Sequence, residues 1–529
     1  MGSSVVSRVV VLGFDGASFP VVKRMMDEGF LSNFLCLRRK GVFHTLQSCI
    51  PPITYPAWTS LYTGKNPGKH GIFDFITSSG ELVNASYRRS KAIWELLSDA
   101  DLSSCIIHMP ATHPPGKIKG RMVSRQFIPP DLSKEEPFLN FPRDLPEKGE
   151  EFVVKYGFKG ITNPRRFLLD SLRIEELRLQ LLLKLIDRNM WNLVMINFSG
   201  LDELQHLLWG RPDSYKQIGT WLVKAYCYMD RILGTILKRI DLSKDVIFVV
   251  SDHGFGRVYR TFNVNSFLQR TGLRTNSKYP RLSRRITQKV IPFLVRHEKI
   301  ALGLDAILEF APLFLRKALW RTVESNGSRG SDLSQGAVGR ALTCFGSIAL
   351  QRFDEEIDQS TIITDIANKL ISLKDPKTGV SPIEQCYFAQ EVFSGPLSHL
   401  GPNIIFRMKE GYEVSQGQSA FPLFHVSRHL ANHRPEGILF VCGKGIKDGL
   451  RGQADIYDIT PTILHILNCN IPEDIDGKVL KYIFKDDSPF NREVQYGPSS
   501  MTLHRKEKHL AAEEEELIKE RLRKLGYFG

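Results

Sequence analysis

Three apolar runs of this chain each lead into an acid: VVVLGF before Asp15-Gly16, LVMINFSGL before Asp202, and VIFVVS before Asp252-His253-Gly254. Short runs rich in Val and Ile, apolar on both alternating faces, read as strands of a sheet covered by helices on each side. In such open α/β sheets, ligands gather outside the carboxyl ends of the strands. Side chains far apart in sequence then meet at one sheet edge. Carboxylate oxygen and imidazole nitrogen are donors that divalent transition metals favour. The spacing therefore predicts an α/β fold with metal chemistry at that edge.

Further residues extend the set. Asp202 is followed by His206 within LDELQHLLWG, which reads as the start of a helix, and an i, i+4 pair shares one helical face. Later, ANHRPEGILFVCGKGI places His433 on a loop before the apolar strand ILFVC, with His425 and His429 near enough to compete for the same role. A candidate nucleophile, Thr54, lies in SCIPPITYPAWTSLYTG. Pro52 and Pro56 flank it, and helical spacing then puts Trp58, Leu61 and Tyr62 on one side. Thr54 is thus expected near a helix N-terminus, where free amides and the dipole favour bound phosphate. Each residue also has a plainer role: Asp15 as a turn residue, Thr54 as a helix cap, Asp202 as a cap for the helix of His206.

Taken in order, GFDG, TYPAWTSLYTGKNPGKHGIFDF, DELQH, SDHGFG, NHRPEG, DIYDITPTILHIL and DIDGKVL resemble the alkaline phosphatase superfamily. Within it, they are similar to the type I phosphodiesterase and nucleotide pyrophosphatase branch. The resemblance implies an alkaline phosphatase-like three-layer core, with a central, mostly parallel sheet and a helical cap insertion. It implies two divalent metal ions, Zn²⁺ first and Mn²⁺ as the alternative. Asp15, Thr54, Asp252 and His253 would surround one ion, and Asp202, His206 and His433 the other, His433 being preferred because HRPEG matches the family motif. The implied reaction is hydrolysis of a phosphodiester or pyrophosphate through a phosphothreonine at Thr54, metal coordination activating an otherwise poor nucleophile. The same site could serve a phosphomonoesterase or a phosphotransferase, and a non-catalytic scaffold is the third class. Threonine at this position argues against a sulfatase. One departure stands out: where the branch carries a phosphate-binding Asn after its HGI segment, this chain reads His70-Gly71-Ile72-Phe73-Asp74-Phe75. Lys65 or Asn66 is the expected substitute.

Other conspicuous residues read as structural. Asp458 and Thr460 look like a helix start, Asp476-Gly477 like a turn, and His70 like a helix end. His108 and His113 fall in a loop expected near the site.

With 529 residues the chain can bury a large core. The expected core spans 1–256 and 337–490, with a helical insertion at 257–336 and a helical segment at 491–529. A net charge of +14 would concentrate anionic phosphoester substrates, while no nucleic-acid motif is present. Within the insertion, Arg281, Arg284, Arg285 and Lys289 precede Ile291, Phe293 and Leu294, a pattern that also suits peripheral membrane contact. The eight cysteines are scattered without C-x-x-C spacing, and no secretory signal or bilayer-length apolar run is evident. A cytoplasmic enzyme without disulfides is expected.

Overall fold

The computed structural model describes residues 8–77, 80–124, 140–141, 164–186, 191–209, 219–272, 336–351, 359–416, 422–427 and 429–502, with scattered positions from 515 to 522. Residues 273–335 lie outside this set, so the proposed membrane-facing side chains from Arg281 to Leu294 do too.

The three diagnostic runs form β1 (Val9–Phe14), β6 (Leu193–Phe198) and β7 (Val246–Val250). They join β2 (Gly41–Gln47), β3 (Ser104–Ile107), β4 (Gly120–Val123), β5 (Asn140–Phe141), β16 (Glu436–Gly443) and β17 (Arg451–Asp455). The nine strands lie in the order β17-β2-β16-β7-β1-β6-β3-β4-β5. The centre, β7-β1-β6-β3-β4, is parallel, and β16 runs antiparallel to both neighbours. The result is the mostly parallel sheet that the apolar runs predict.

Strand alternation explains the layers. Val10, Leu12 and Phe14 of β1 enter one core with Val194, Ile196 and Phe198 of β6, whereas Val9 and Val11 enter a second core with Leu193 and Met195. Both faces of each strand are therefore buried, which is why the runs are continuous rather than alternating. Helices α1 (Phe19–Asp27), α2 (Ser32–Lys40), α6 (Pro164–Ile186), α7 (Gly200–Leu208) and α8 (Thr220–Leu237) cover the first face. Helices α3 (Thr54–Thr63) and α5 (Ile93–Asp99), with Ile459–Ile466, cover the second. The short helix α4 (Pro67–His70) follows α3.

Beyond β7 the chain enters β8 (Gly254–Asn263) and α9 (Val264–Arg270). Two smaller sheets follow. One is ordered β11 (Ile383–Phe388), β12 (Ile404–Met408), β10 (Phe345–Gln351) and β9 (Gly336–Leu342). The other joins β8 to β13 (Gly411–Ser415), β14 (Phe424–Val426) and β15 (Ala431–Arg434). Among the described residues, no helix is long and apolar enough to cross a membrane.

Candidate metal centre

Asp15 follows β1, Asp202 opens α7 after β6, and Asp252-His253 follow β7. Because β1 lies between β6 and β7, with Phe14 opposite Phe198 and Gly13 opposite Val250, the three strands end at one level. Gly16, at φ 73°, turns the chain beneath this edge, where a Cβ would stand 2.8 Å from the Phe255 ring. Its amide donates to Asp252 Oδ1 at 3.2 Å, tying the two strand ends together.

Asp202, His206 and His433 offer ligand atoms within 4.8 Å of one another, as do Asp15, Asp202 and His253, and all these residues are buried. Asp202 belongs to both groups, although the sequence reading assigned it to one side. Its Oδ1 lies 3.2 Å from His433 Nε2, 3.7 Å from His206 Nε2 and 3.9 Å from His253 Nε2. Asp252 Oδ2 is 3.3 Å from His253 Nε2, yet neither atom has a hydrogen-bond partner among the described residues.

The tautomers follow from the other ring nitrogens. His433 Nδ1 faces the Pro52 carbonyl at 2.9 Å, and His253 Nδ1 faces that of Gly254 at 3.2 Å. A carbonyl only accepts, so each ring carries its proton on Nδ1 and turns the lone pair of Nε2 inward. Lone pairs and carboxylate oxygens thus converge in a dry site, an arrangement that repels itself unless a cation joins it. Burial pushes the His206 imidazole down to about 3 and holds His253 well below its ordinary value, the nearby His433 adding to the latter. Burial raises the Asp252 carboxyl well above the usual range, helped by the charges of Asp15 and Asp202. Asp202 goes the other way: burial opposes its charge, but a proton carried by His206, His433 or His253 holds its carboxyl far down. Neutral imidazoles beside carboxylates are the donor set a divalent ion requires, and the residues present fit one.

Thr54 is the first residue of α3 and is buried, with Ile53 in the cap position. The hydroxyl is therefore not a helix cap. Both flanks of Thr54 are fastened to the centre. Pro52 accepts from His433, and Trp58, one turn along α3, donates its indole N–H to Asp15 Oδ2 at 3.2 Å. A threonine hydroxyl and the N-terminus of a ten-residue helix consequently adjoin the ligand cluster.

Several expectations change. His433 sits in the short strand β15, opposite Phe255 of β8, rather than on a loop. His429 contacts Glu413 Oε2 at 3.0 Å, and His425 lies in β14, so neither joins the ligand groups. Lys65 and Asn66 fail as phosphate contacts because they occupy the far end of α3 from Thr54. Lys65 is buried against Asp474 and donates to Ser500 at 2.7 Å, while Asn66 caps α4 and donates to Asp476 at 2.8 Å. His70 ends α4 and bonds Ser60 at 3.0 Å, and Asp458 stands at the start of the helix Ile459–Ile466 but turns its carboxylate to the amides of Asp455 and Lys478 instead of capping it.

Two supporting residues escaped the sequence reading. Asn197 donates to Asp15 Oδ2 at 3.0 Å, and Gln205 donates to the Gly16 carbonyl at 2.8 Å while accepting from Tyr226. The signal for Asn197 was one amide inside the apolar run LVMINF.

Fold and site together define a hydrolase of the alkaline phosphatase class, with candidate metal-binding groups at the carboxyl edge of its sheet. The chain belongs to the type I phosphodiesterase / nucleotide pyrophosphatase family, whose sequence pattern matches residues 9–307. No curated protein sequence matches it. Among solved structures, murine ectonucleotide pyrophosphatase/phosphodiesterase 5 is similar at 14% identity and TM-score 0.51, covering 90% of this chain and 100% of that one. An inactive threonine-to-alanine variant of the same murine protein, in complex with AMP, matches at 13% identity and TM-score 0.51, covering 90% and 98%. Phosphonoacetate hydrolase from Sinorhizobium meliloti, in complex with phosphonoacetate, gives 13% identity and TM-score 0.52, covering 87% and 95%. At these identities the likeness is one of fold.

Proposed function

We propose that the protein cleaves phosphodiester or pyrophosphate bonds in two displacements, with Thr54 as nucleophile. The observation that carries this reading is the pair of buried ligand groups sharing Asp202 beside the N-terminus of α3. Asp15, Asp252, His253 and Thr54 would hold one divalent ion, and Asp202, His206 and His433 a second, with Zn²⁺ favoured by the mixed oxygen and nitrogen set and Mn²⁺ as the alternative. Such ions supply Lewis-acid stabilisation and favour ionised oxygen nucleophiles at neutral pH.

The chain's own residues do the rest. The α3 N-terminus orients the phosphoryl oxygens, and Phe255, edge-on to His206 and His433 at 4.9 Å, keeps the back wall apolar. The Thr54 oxygen bonds to phosphorus as the bond to the leaving oxygen breaks, and the threonine's proton balances the departing alkoxide. Water then cleaves the phosphothreonine and restores the hydroxyl, so one water is consumed per turnover. The murine neighbour's inactivity as a threonine-to-alanine variant supports this assignment. The net charge of +14 suits anionic substrates, and eight free cysteines support a cytoplasmic setting.

The test uses the full chain with Zn²⁺ or Mn²⁺ and bis-p-nitrophenyl phosphate. Turnover is expected, with acid-quenched protein carrying a p-nitrophenylphosphoryl group on Thr54 by mass spectrometry. That adduct on another residue, or undiminished turnover by Thr54→Ala, refutes the mechanism.

A further inference from the structure

The strand that carries His433 is anchored by a carboxylate outside both ligand groups. Glu413, in β13, is buried, and donors from three other stretches of chain converge on it. Thr261 of β8 donates to Oε1 at 2.8 Å and Ser427, just beyond β14, at 2.6 Å, while Asn432 of β15 donates to Oε2 at 3.0 Å. His429 Nδ1 faces Oε2 at 3.0 Å, and because an ionised carboxylate only accepts, that nitrogen carries the proton. Burial works against the charge of Glu413, yet the hydrogen bonds of His429, Ser427 and Thr261 hold its carboxyl below the ordinary value.

Asn432 passes this anchorage to the metal centre. Its Nδ2 donates to Glu413, and its Oδ1 accepts from the main-chain N–H of His433 at 2.9 Å. The ring of the same histidine is fixed by Pro52, whose carbonyl lies 2.9 Å from Nδ1, so that Nε2 stands 3.2 Å from Asp202 Oδ1. Glu413, Asn432 and His433 are all buried. A bond lost along this path is therefore not made good by bulk water.

We propose that Glu413 is a positioning residue for the ion held by Asp202, His206 and His433, acting through Asn432 on the main chain of His433. It touches neither substrate nor metal. The proposal rests on the reading above in one respect, that these three residues hold an ion.

The experiment is titration of the metal-free full chain with Zn²⁺, resolving the two binding equivalents. Asn432→Ala cuts the path while leaving Glu413 its other donors, and Glu413→Met removes the carboxylate at similar length. Each should weaken one equivalent about 10- to 100-fold, as on losing a group that orients a ligand, and leave the other unchanged. The double variant should bind no more weakly than the weaker single one, because both changes act through one bond. Glu413→Gln can set its carbonyl oxygen against Asn432 and its N–H₂ against the hydroxyls of Thr261 and Ser427, so it should restore the affinity. Where Glu413→Met does not fold, Glu413→Asp, which withdraws the carboxylate by one methylene, takes its place. In His206→Gln, the equivalent that remains should not respond to Asn432→Ala. A merely structural Glu413 would instead weaken both equivalents together, and that result, additive losses, or full affinity in Asn432→Ala overturns the proposal. Failure of the ion reading shows separately, as two tight equivalents retained in His433→Gln.

Discussion

Asp202→Asn is the substitution from which most follows, because Oδ1 of this one carboxylate faces His433 at 3.2 Å, His206 at 3.7 Å and His253 at 3.9 Å. The amide keeps the shape of the carboxylate and removes one negative charge. At an effective dielectric constant near 20, a unit charge pair about 4 Å apart is worth about 4 kcal/mol. Loss of that attraction corresponds to about a thousandfold weaker binding. Since Asp202 belongs to both ligand groups, both ions should be affected. His206→Gln and Asp15→Asn each touch one group, and should each leave one tight equivalent. The assay is metal content after dialysis against a buffered Zn²⁺ solution, followed by titration of the metal-free protein. A shared ligand predicts near-zero retained metal in Asp202→Asn and about one equivalent in each of the other two variants. Two tight equivalents in Asp202→Asn, or the loss of only one, would refute the shared role.

Asn197→Leu removes the amide that donates to Asp15 at 3.0 Å, so metal affinity should fall about 10- to 100-fold, as on losing a group that orients a ligand. The Oδ1 of Asn197 is buried without a hydrogen-bond partner, so the metal-free Tm should hold or rise, and a large drop in Tm with unchanged affinity would contradict this. His44 is buried in β2, and burial lowers its imidazole to about 4 from an ordinary 6.5. The unfolded chain therefore takes up that proton first, and stability present above pH 6.5 is lost as pH falls toward 4. His44→Phe should flatten the fall of Tm across this window, and identical slopes for both proteins would show that the histidine plays no part.

Much of the site was legible because local pattern reports local structure. Continuous apolar runs mark strands buried on both faces, and an acid at the end of such a run must emerge at the sheet edge. The DELQH spacing marks one face of a helix, and Asp202 and His206 do share α7. The prolines around Thr54 mark a helix start, although the cap falls on Ile53. The substitute chosen for the branch's phosphate-binding Asn was wrong for a geometric reason. Lys65 and Asn66 are close to Thr54 in sequence, but a ten-residue helix carries them about 15 Å away.

By itself, then, the amino-acid sequence determined the α/β class, the strand ends that carry the acids and the helix start that carries Thr54, since each depends on a few neighbouring residues. Only the tertiary structure decided which atoms meet. The order β7-β1-β6 and the pairing of β15 with β8 bring His433 to Asp202 and make one carboxylate common to two ligand groups. Such contacts depend on strand order and register between segments far apart in the chain, and no local periodicity encodes them.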